Sequence, residues 1–321
     1  MKVIFSNSIS PFSKEIRQVG LLLITIVLFS SCKDHADKES INSKLSNSAS
    51  IFSTDFYELH KSDNEEAVLI LYPGAGTTSV ETKQEFDILK KAKAKNISVL
   101  LMNFTNHLWI DKIERKALTE ELEKAFTEHE LKRDNIYIGG MSVGGTIALS
   151  LSDHLIGTSS TLSPKGVFIV DSPIDLYALY ESAQKDLLRD DFSEERLAEP
   201  RFIIRYFEEE FGKMDSLVSN IENVSPFIYK LNRNSVSKLK ETKLRFYTEP
   251  DSLWWRENRD TDFENTNSFV ILQITDQLNS AGWEHVELVE TKGKGYRANG
   301  DRHPHSWSIV DVDNLIDWIL E

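Results

Sequence analysis

The chain has 321 residues, 40% of them apolar, and a formal net charge of −14. That length supports one large α/β domain with its own core, and the acidic balance argues against nucleic acid as a partner. A single cysteine, Cys32, excludes a disulfide within the chain, so stability must come from packing.

In chain order, Lys14 and Arg17 precede an apolar run at 19–29, which ends in Ser30-Ser31-Cys32. A basic flank, an apolar core of this length and small residues before a cut predict a secretory signal over 1–31, too short for a comfortable transmembrane span. The Ser-Ser-Cys run resembles the lipobox of bacterial lipoproteins. That resemblance implies cleavage before Cys32, acylation of its thiol and new amino group, and a cell-envelope protein, periplasmic or outer-membrane, held to the membrane by its lipid. An uncleaved N-terminal anchor is the alternative. Residues 32–50 hold little that can be buried and read as a flexible tether, leaving 51–321 as the folded domain. The acidic-leaning run at 33–39 resembles surface-export signals of some Bacteroidetes lipoproteins.

Residues 51–59 alternate loosely, as an edge strand does, and 67–72 (AVLILY) form a buried parallel strand that runs into Pro73-Gly74-Ala75-Gly76. A helix at 79–95 leads to a strand at 97–103. A second helix at 111–129 carries Ile113, Leu118, Leu122 and Phe126 at helical spacing. Strands at 136–138 and 166–170 flank a helix at 143–151. After a helical insertion at 176–242 come a strand at 244–247, a helix at 265–281, a strand at 285–289 and a closing helix at 309–320. Strands alternating with helices predict an α/β fold: a mostly parallel sheet covered on both faces, with the insertion as a helical cap. The charged runs of the insertion, at 189–191 and 208–210, read as solvated helix faces.

Gly140-Met141-Ser142-Val143-Gly144, between strand and helix, matches the G-x-S-x-G nucleophile elbow. The serine of such a turn occupies a strained backbone geometry, and its neighbours two before and two after must be almost free of side chain so that strand and helix can cross. A phosphate-cradling loop is the competing reading, but GGMSVGG matches neither G-x-G-x-x-G nor G-x-x-x-x-G-K-[ST].

A serine hydroxyl needs a base, and the base an orienting carboxylate. In this strand order the carboxylate is expected after the strand at 244–247, where Asp251 sits, with Glu249 as its substitute and Asp171 as a more remote one. The histidine is expected after the last strand, where His305 stands nearer the closing helix than His303. His60, His107 and His129 read as surface or packed residues. Trp254, Trp255 and Trp307 flank the proposed acid and base as a pocket wall or as packing. Arg256, Arg259, Arg297 and Arg302 share these loops, to clasp a substrate carboxylate or to pair with Asp260, Asp262 and Asp301.

Gly140-Met141-Ser142-Val143-Gly144, then Asp251, then His305, resemble the triad order of the α/β-hydrolase superfamily over about 51–321. Ser225-Pro226-Phe227, the YTEPD turn and the HPHSW loop resemble an esterase-like group of these serine hydrolases in Bacteroidetes. The resemblance implies an oxyanion hole from the backbone N–H of Val143 and one from the 72–76 loop, Ala75 ahead of Gly76. It implies acyl transfer from a small-molecule or glycan-linked carboxylic ester to water, with no cofactor and no metal. A serine peptidase of the same fold and a non-catalytic binding protein on this scaffold are the alternatives.

Overall fold

The structure, a computed structural model, describes residues 50–321 apart from 106, 159 and 214. The signal segment, Cys32 and the tether up to residue 49 lie outside the described residues. Ten strands are described: β1 (Ser50–Ser53), β2 (Tyr57–Lys61), β3 (Ala67–Tyr72), β4 (Ile97–Met102), β5 (Ile136–Met141), β6 (Pro164–Val170), β7 (Phe227–Ile228), β8 (Arg233–Asn234), β9 (Lys243–Thr248) and β10 (Val286–Glu290). Eight form one sheet in the order β1-β2-β4-β3-β5-β6-β9-β10; β7 and β8 make a separate small hairpin. From β4 to β10 every pairing is parallel, while β1 and β2 are antiparallel.

The helices are α1 (Ser79–Glu85), α2 (Leu89–Ala94), α3 (Lys112–Glu128), α4 (Val143–Gly157), α5 (Leu176–Leu187), α6 (Glu194–Phe211), α7 (Asp215–Ile221), α8 (Ser252–Arg259), α9 (Asn267–Ser280) and α10 (Val312–Leu320). Every residue of β3, β4 and β5 is buried, as expected of parallel strands covered on both faces. The period of two divides their side chains between two cores. Val68, Ile70, Ile138, Ile169 and Phe246 pack with Ile147 and Leu151 of α4 and Ile271 of α9. Leu69, Leu71, Tyr137, Phe168 and Tyr247 pack on the other face with Ala92 of α2 and Leu315 of α10.

Local departures from the sequence reading have local causes. The segment at 51–59 is a β1–β2 hairpin, because Thr54 Oγ1 accepts the N–H groups of Phe56 and Tyr57, each at 3.1 Å, and turns the chain. The helix expected at 79–95 breaks between Glu85 and Leu89: Phe86 is extended, at φ −130°, and stacks its ring on Trp307 at 4.5 Å. Ile113 lies outside the apolar face of α3 and is 78% exposed. Capping boxes at Thr78/Glu81 and Asp111/Glu114 start α1 and α3 by satisfying backbone donors at each helix end.

The insertion folds as α5, α6, α7 and the β7–β8 hairpin around one apolar cluster, in which Tyr180, Ile203, Phe207, Phe211 and Leu217 surround Trp109 of the loop after β4. It is rooted close to the end of β6. Asp175 caps α5 through the Ala178 N–H (2.9 Å) and also accepts the Tyr229 N–H (2.8 Å), and burial pushes its carboxyl up to about 6. Ser225 accepts the Leu176 N–H at 2.9 Å. The insertion also leans on the segment after β9, through Arg189 to Asp260 (2.6 Å) and Lys185 to Asn265 (2.8 Å). Phe207 is fully buried, with Trp109 5.1 Å away edge-on. Phe207→Ala is expected to cost about 3–5 kcal/mol of stability in chemical denaturation.

Candidate active site

The carboxyl ends of the parallel strands carry the residues that matter here. Ser142 follows β5 directly, with φ +54° and ψ −132°, a region that a residue with a Cβ enters only at a cost of about 1–3 kcal/mol. Its two glycine neighbours show why the turn is possible. A Cβ on Gly144 would lie 2.4 Å from the Tyr72 carbonyl oxygen, and one on Gly140 would lie 2.2 Å from the Gly144 backbone. Serine is a favoured helix cap, yet the Ser142 side chain makes no capping bond to α4. Among the described residues its hydroxyl has no hydrogen bond, to either His303 or His305 or to any other group. The hydroxyl is thus left free at the positive end of a 15-residue helix. The 72–76 loop comes close: a Cβ on Gly74 would stand 3.6 Å from Ser142 Cβ, while Ala75 and Gly76 are exposed.

The Ser142 N–H donates to the Val170 carbonyl at 2.9 Å, which sets the end of β6 beside the serine. The next residue, Asp171, is 2% exposed and holds His305: Oδ2 is 2.7 Å from Nδ1. A carboxylate can only accept here, so Nδ1 carries the proton, and in the neutral ring Nε2 is the nitrogen that keeps a lone pair. The other carboxylate oxygen, Oδ1, accepts from Thr248 Oγ1 (2.9 Å) and Ser268 Oγ (3.2 Å), and the Asp171 carbonyl accepts from Asn267 Nδ2 (2.9 Å). Three groups from β9 and the first turn of α9 therefore fix Asp171 in place, two on its carboxylate and one on its backbone carbonyl.

The sequence expectation pairs the histidine with Asp251, or with Glu249 in its stead. Both are engaged elsewhere. Asp251 is the cap of α8: its Oδ1 accepts the Trp254 N–H at 3.0 Å and its Oδ2 takes Arg302 at 2.7 Å. Glu249 is 1% exposed and ties down the loop between β10 and His305, accepting the Lys294 N–H (2.7 Å), Thr291 Oγ1 (3.0 Å) and the Gly295 N–H (3.2 Å) and pairing with Arg302. The supporting hydroxyls of Thr248 and Ser268 carry no signal of their own in the sequence. Asp171 does carry one, since it is the first residue after a continuous apolar strand.

His303 plays a different part from His305. Its ring packs on Trp254 (centroids 4.7 Å apart) and edge-on to Trp255 (5.8 Å), and its Nδ1 accepts the His305 N–H at 3.2 Å. Burial, reinforced by the positive charge of Arg297, pushes its pKa down to about 3. Of the three tryptophans, Trp307 belongs to the core, and Trp254 and Trp255 are half-buried around His303. Among the described residues no group of three or more His, Cys, Asp or Glu side chains could hold a metal ion. A surface groove of about 830 Å³ lies along α3 and the far end of α4, lined by Ile113 and His154, and shares no residue with this cluster.

No protein-family model matches the sequence, and no curated protein matches it significantly. Solved structures do match in shape. A putative esterase from Staphylococcus aureus aligns at TM-score 0.51 and 12% identity, over 88% of this chain and 85% of that one. Carboxyl esterase 2 from the mycorrhizal fungus Tuber melanosporum aligns at 0.52 and 15%, over 92% and 90%. The chain has the α/β-hydrolase fold. A third α/β-hydrolase match, EstE5, aligns at 0.52 and 12%, over 96% and 98%.

Two measurements check this geometry. Arg302→Met leaves buried Glu249 without its counter-charge and is expected to cost about 3–5 kcal/mol in chemical denaturation. The second concerns His303, which in the unfolded chain titrates near 6.5 but in the fold only near 3. Between those values the unfolded state binds more protons, so stability is full above the unfolded value and declines as pH falls through it toward 3. The melting temperature of the wild-type protein is therefore expected to fall more between pH 7 and pH 5 than that of His303→Gln.

Proposed function

We propose that this chain is a serine hydrolase that cleaves carboxylic esters through an acyl-enzyme, with Ser142 as nucleophile, His305 as base and Asp171 as the carboxylate that orients it. The contact that carries the reading is the 2.7 Å bond between Asp171 Oδ2 and His305 Nδ1, made at the strand ends that also present Ser142. Asp251, the acid expected from the sequence, has no place in this triad.

Asp171 fixes the imidazole tautomer, which leaves Nε2 as the proton acceptor. The hydroxyl and imidazole are not yet bonded here; hydrogen bonds of this kind often tighten only once substrate is seated. His305 takes the Ser142 proton as the oxygen attacks the ester carbonyl, and the resulting imidazolium is stabilised by Asp171. The negative charge that develops on the carbonyl oxygen meets the Val143 N–H at the start of α4 and the Ala75 N–H of the 72–76 loop. Each such donor is worth about 3 kcal/mol of barrier. His305 returns the proton to the leaving alcohol, and water, deprotonated by the same imidazole, releases the acid. His303 stays neutral behind His305 and holds its backbone.

The first 31 residues and Cys32 support a finer reading, an exported enzyme tethered to the cell envelope by lipid. The fold shared with the putative esterase from Staphylococcus aureus and with carboxyl esterase 2 supports esters over other acyl donors.

Asp171→Asn is expected to lower kcat on p-nitrophenyl butyrate by roughly 10⁴-fold. Asp251→Asn, which keeps the α8 cap, should lose less than about tenfold. Equal losses in the two variants would remove Asp171 from the triad. A fluorophosphonate probe should label the wild-type protein and leave Ser142→Ala unlabelled.

A further inference from the structure

Helix α8 is short and stands outside the core. It has eight residues, none of them buried, and a helix of that length is marginal on its own. Its hold on the molecule comes from contacts along its length. At its start Asp251 caps it and takes Arg302. Behind that first turn, Trp254 and Trp255 pack on His303. The far end is held from the helical insertion.

The grip on that end comes from the turn between α5 and α6. Asp191 locks Arg189 by accepting from Nε at 2.7 Å and Nη2 at 2.5 Å, and the same Nη2 donates to Asp260 Oδ2 at 2.6 Å. Arg189 Nη1 also reaches the Asp260 carbonyl at 3.4 Å. From the first turn of α6, Arg196 donates to the Arg259 carbonyl, which Thr261 Oγ1 also meets at 3.0 Å. Both guanidinium groups rest on the ring of Phe192, 4.5 and 3.8 Å from its centroid. Two cations therefore stand at the helix end whose carbonyls carry partial negative charge. The contacts then run on toward the site, because the His303 ring that α8 covers accepts the His305 N–H on its Nδ1 at 3.2 Å.

We propose that Arg189 and Arg196 are positioning residues for His305: they hold the far end of α8, α8 holds His303, and His303 holds the backbone of the base. The insertion thereby sets the alignment of the imidazole that faces Asp171. This rests on the ester hydrolysis proposed above, in which His305 is the base.

The double variant Arg189→Met/Arg196→Met is expected to lose roughly tenfold to a hundredfold in kcat on p-nitrophenyl butyrate. Its denaturation midpoint should stay close to that of the wild-type protein, because surface ion pairs contribute little to stability. In the same variant His303, no longer covered by α8, is expected to titrate nearer 6.5 than 3 when its Cε1 proton is followed by NMR. Arg189→Lys/Arg196→Lys keeps both cations and should recover part of the lost kcat. Lys185→Met, which releases the insertion from Asn265 and not from α8, should change neither reading. A wild-type kcat in the double Met variant, or a His303 titration unmoved in it, overturns the inference while the proposed reaction stands. So does a loss in Lys185→Met as large as that in the double variant. No hydrolysis and no fluorophosphonate labelling by the wild-type protein overturns both.

Discussion

The site depends on one buried contact, the 2.7 Å bond from His305 to Asp171. A carboxylate this enclosed is tolerable only when its oxygens are satisfied, and here Thr248, Ser268 and the imidazole share them. Each partner comes from a different part of the chain: Thr248 from the end of β9, Ser268 from the first turn of α9 and His305 from the loop before α10. The bond therefore exists only when the sheet, α9 and the last loop are assembled together. It is a tertiary product, and no shorter segment of the chain could make it.

A second buried carboxylate does a separate job beside it. Glu249, one residue past β9, spends its oxygens on backbone N–H groups and on Arg302, and so shapes the 291–302 stretch that leads to His305. Adjacent parallel strands thus end in two acids with divided labour: that after β6 holds the imidazole, and that after β9 holds the loop delivering it. The arginine of the second pair is held by two carboxylates, whereas the Arg297 guanidinium on the same loop makes no hydrogen bond or ion pair among the described residues.

The serine turn was legible in the sequence because its demands are local. A residue with φ near +54° flanked by two positions that admit no Cβ leaves Gly-x-Ser-x-Gly among few solutions, and an apolar strand before it with a helix after it completes the signature. His305 was legible for a similar reason, as a histidine between the last strand and the last helix. The acid was not. Asp171 and Asp251 each follow a strand, and each precedes a helix-forming stretch. What separates them is a capping bond to the Trp254 N–H and a guanidinium, both of which hold Asp251 away from the imidazole.

By itself, then, the sequence determined the alternation of strands and helices, the helical character of the insertion and the strained serine. These follow from hydrophobic period, steric exclusion and turn chemistry, which act over a few residues. Only the tertiary structure decided which carboxylate meets the histidine, which tryptophan enters the core and which arginine two carboxylates hold. The bond that decides the first of these joins side chains 134 positions apart, His305 and Asp171, and three-dimensional proximity, which strand order and loop anchoring create, settles it.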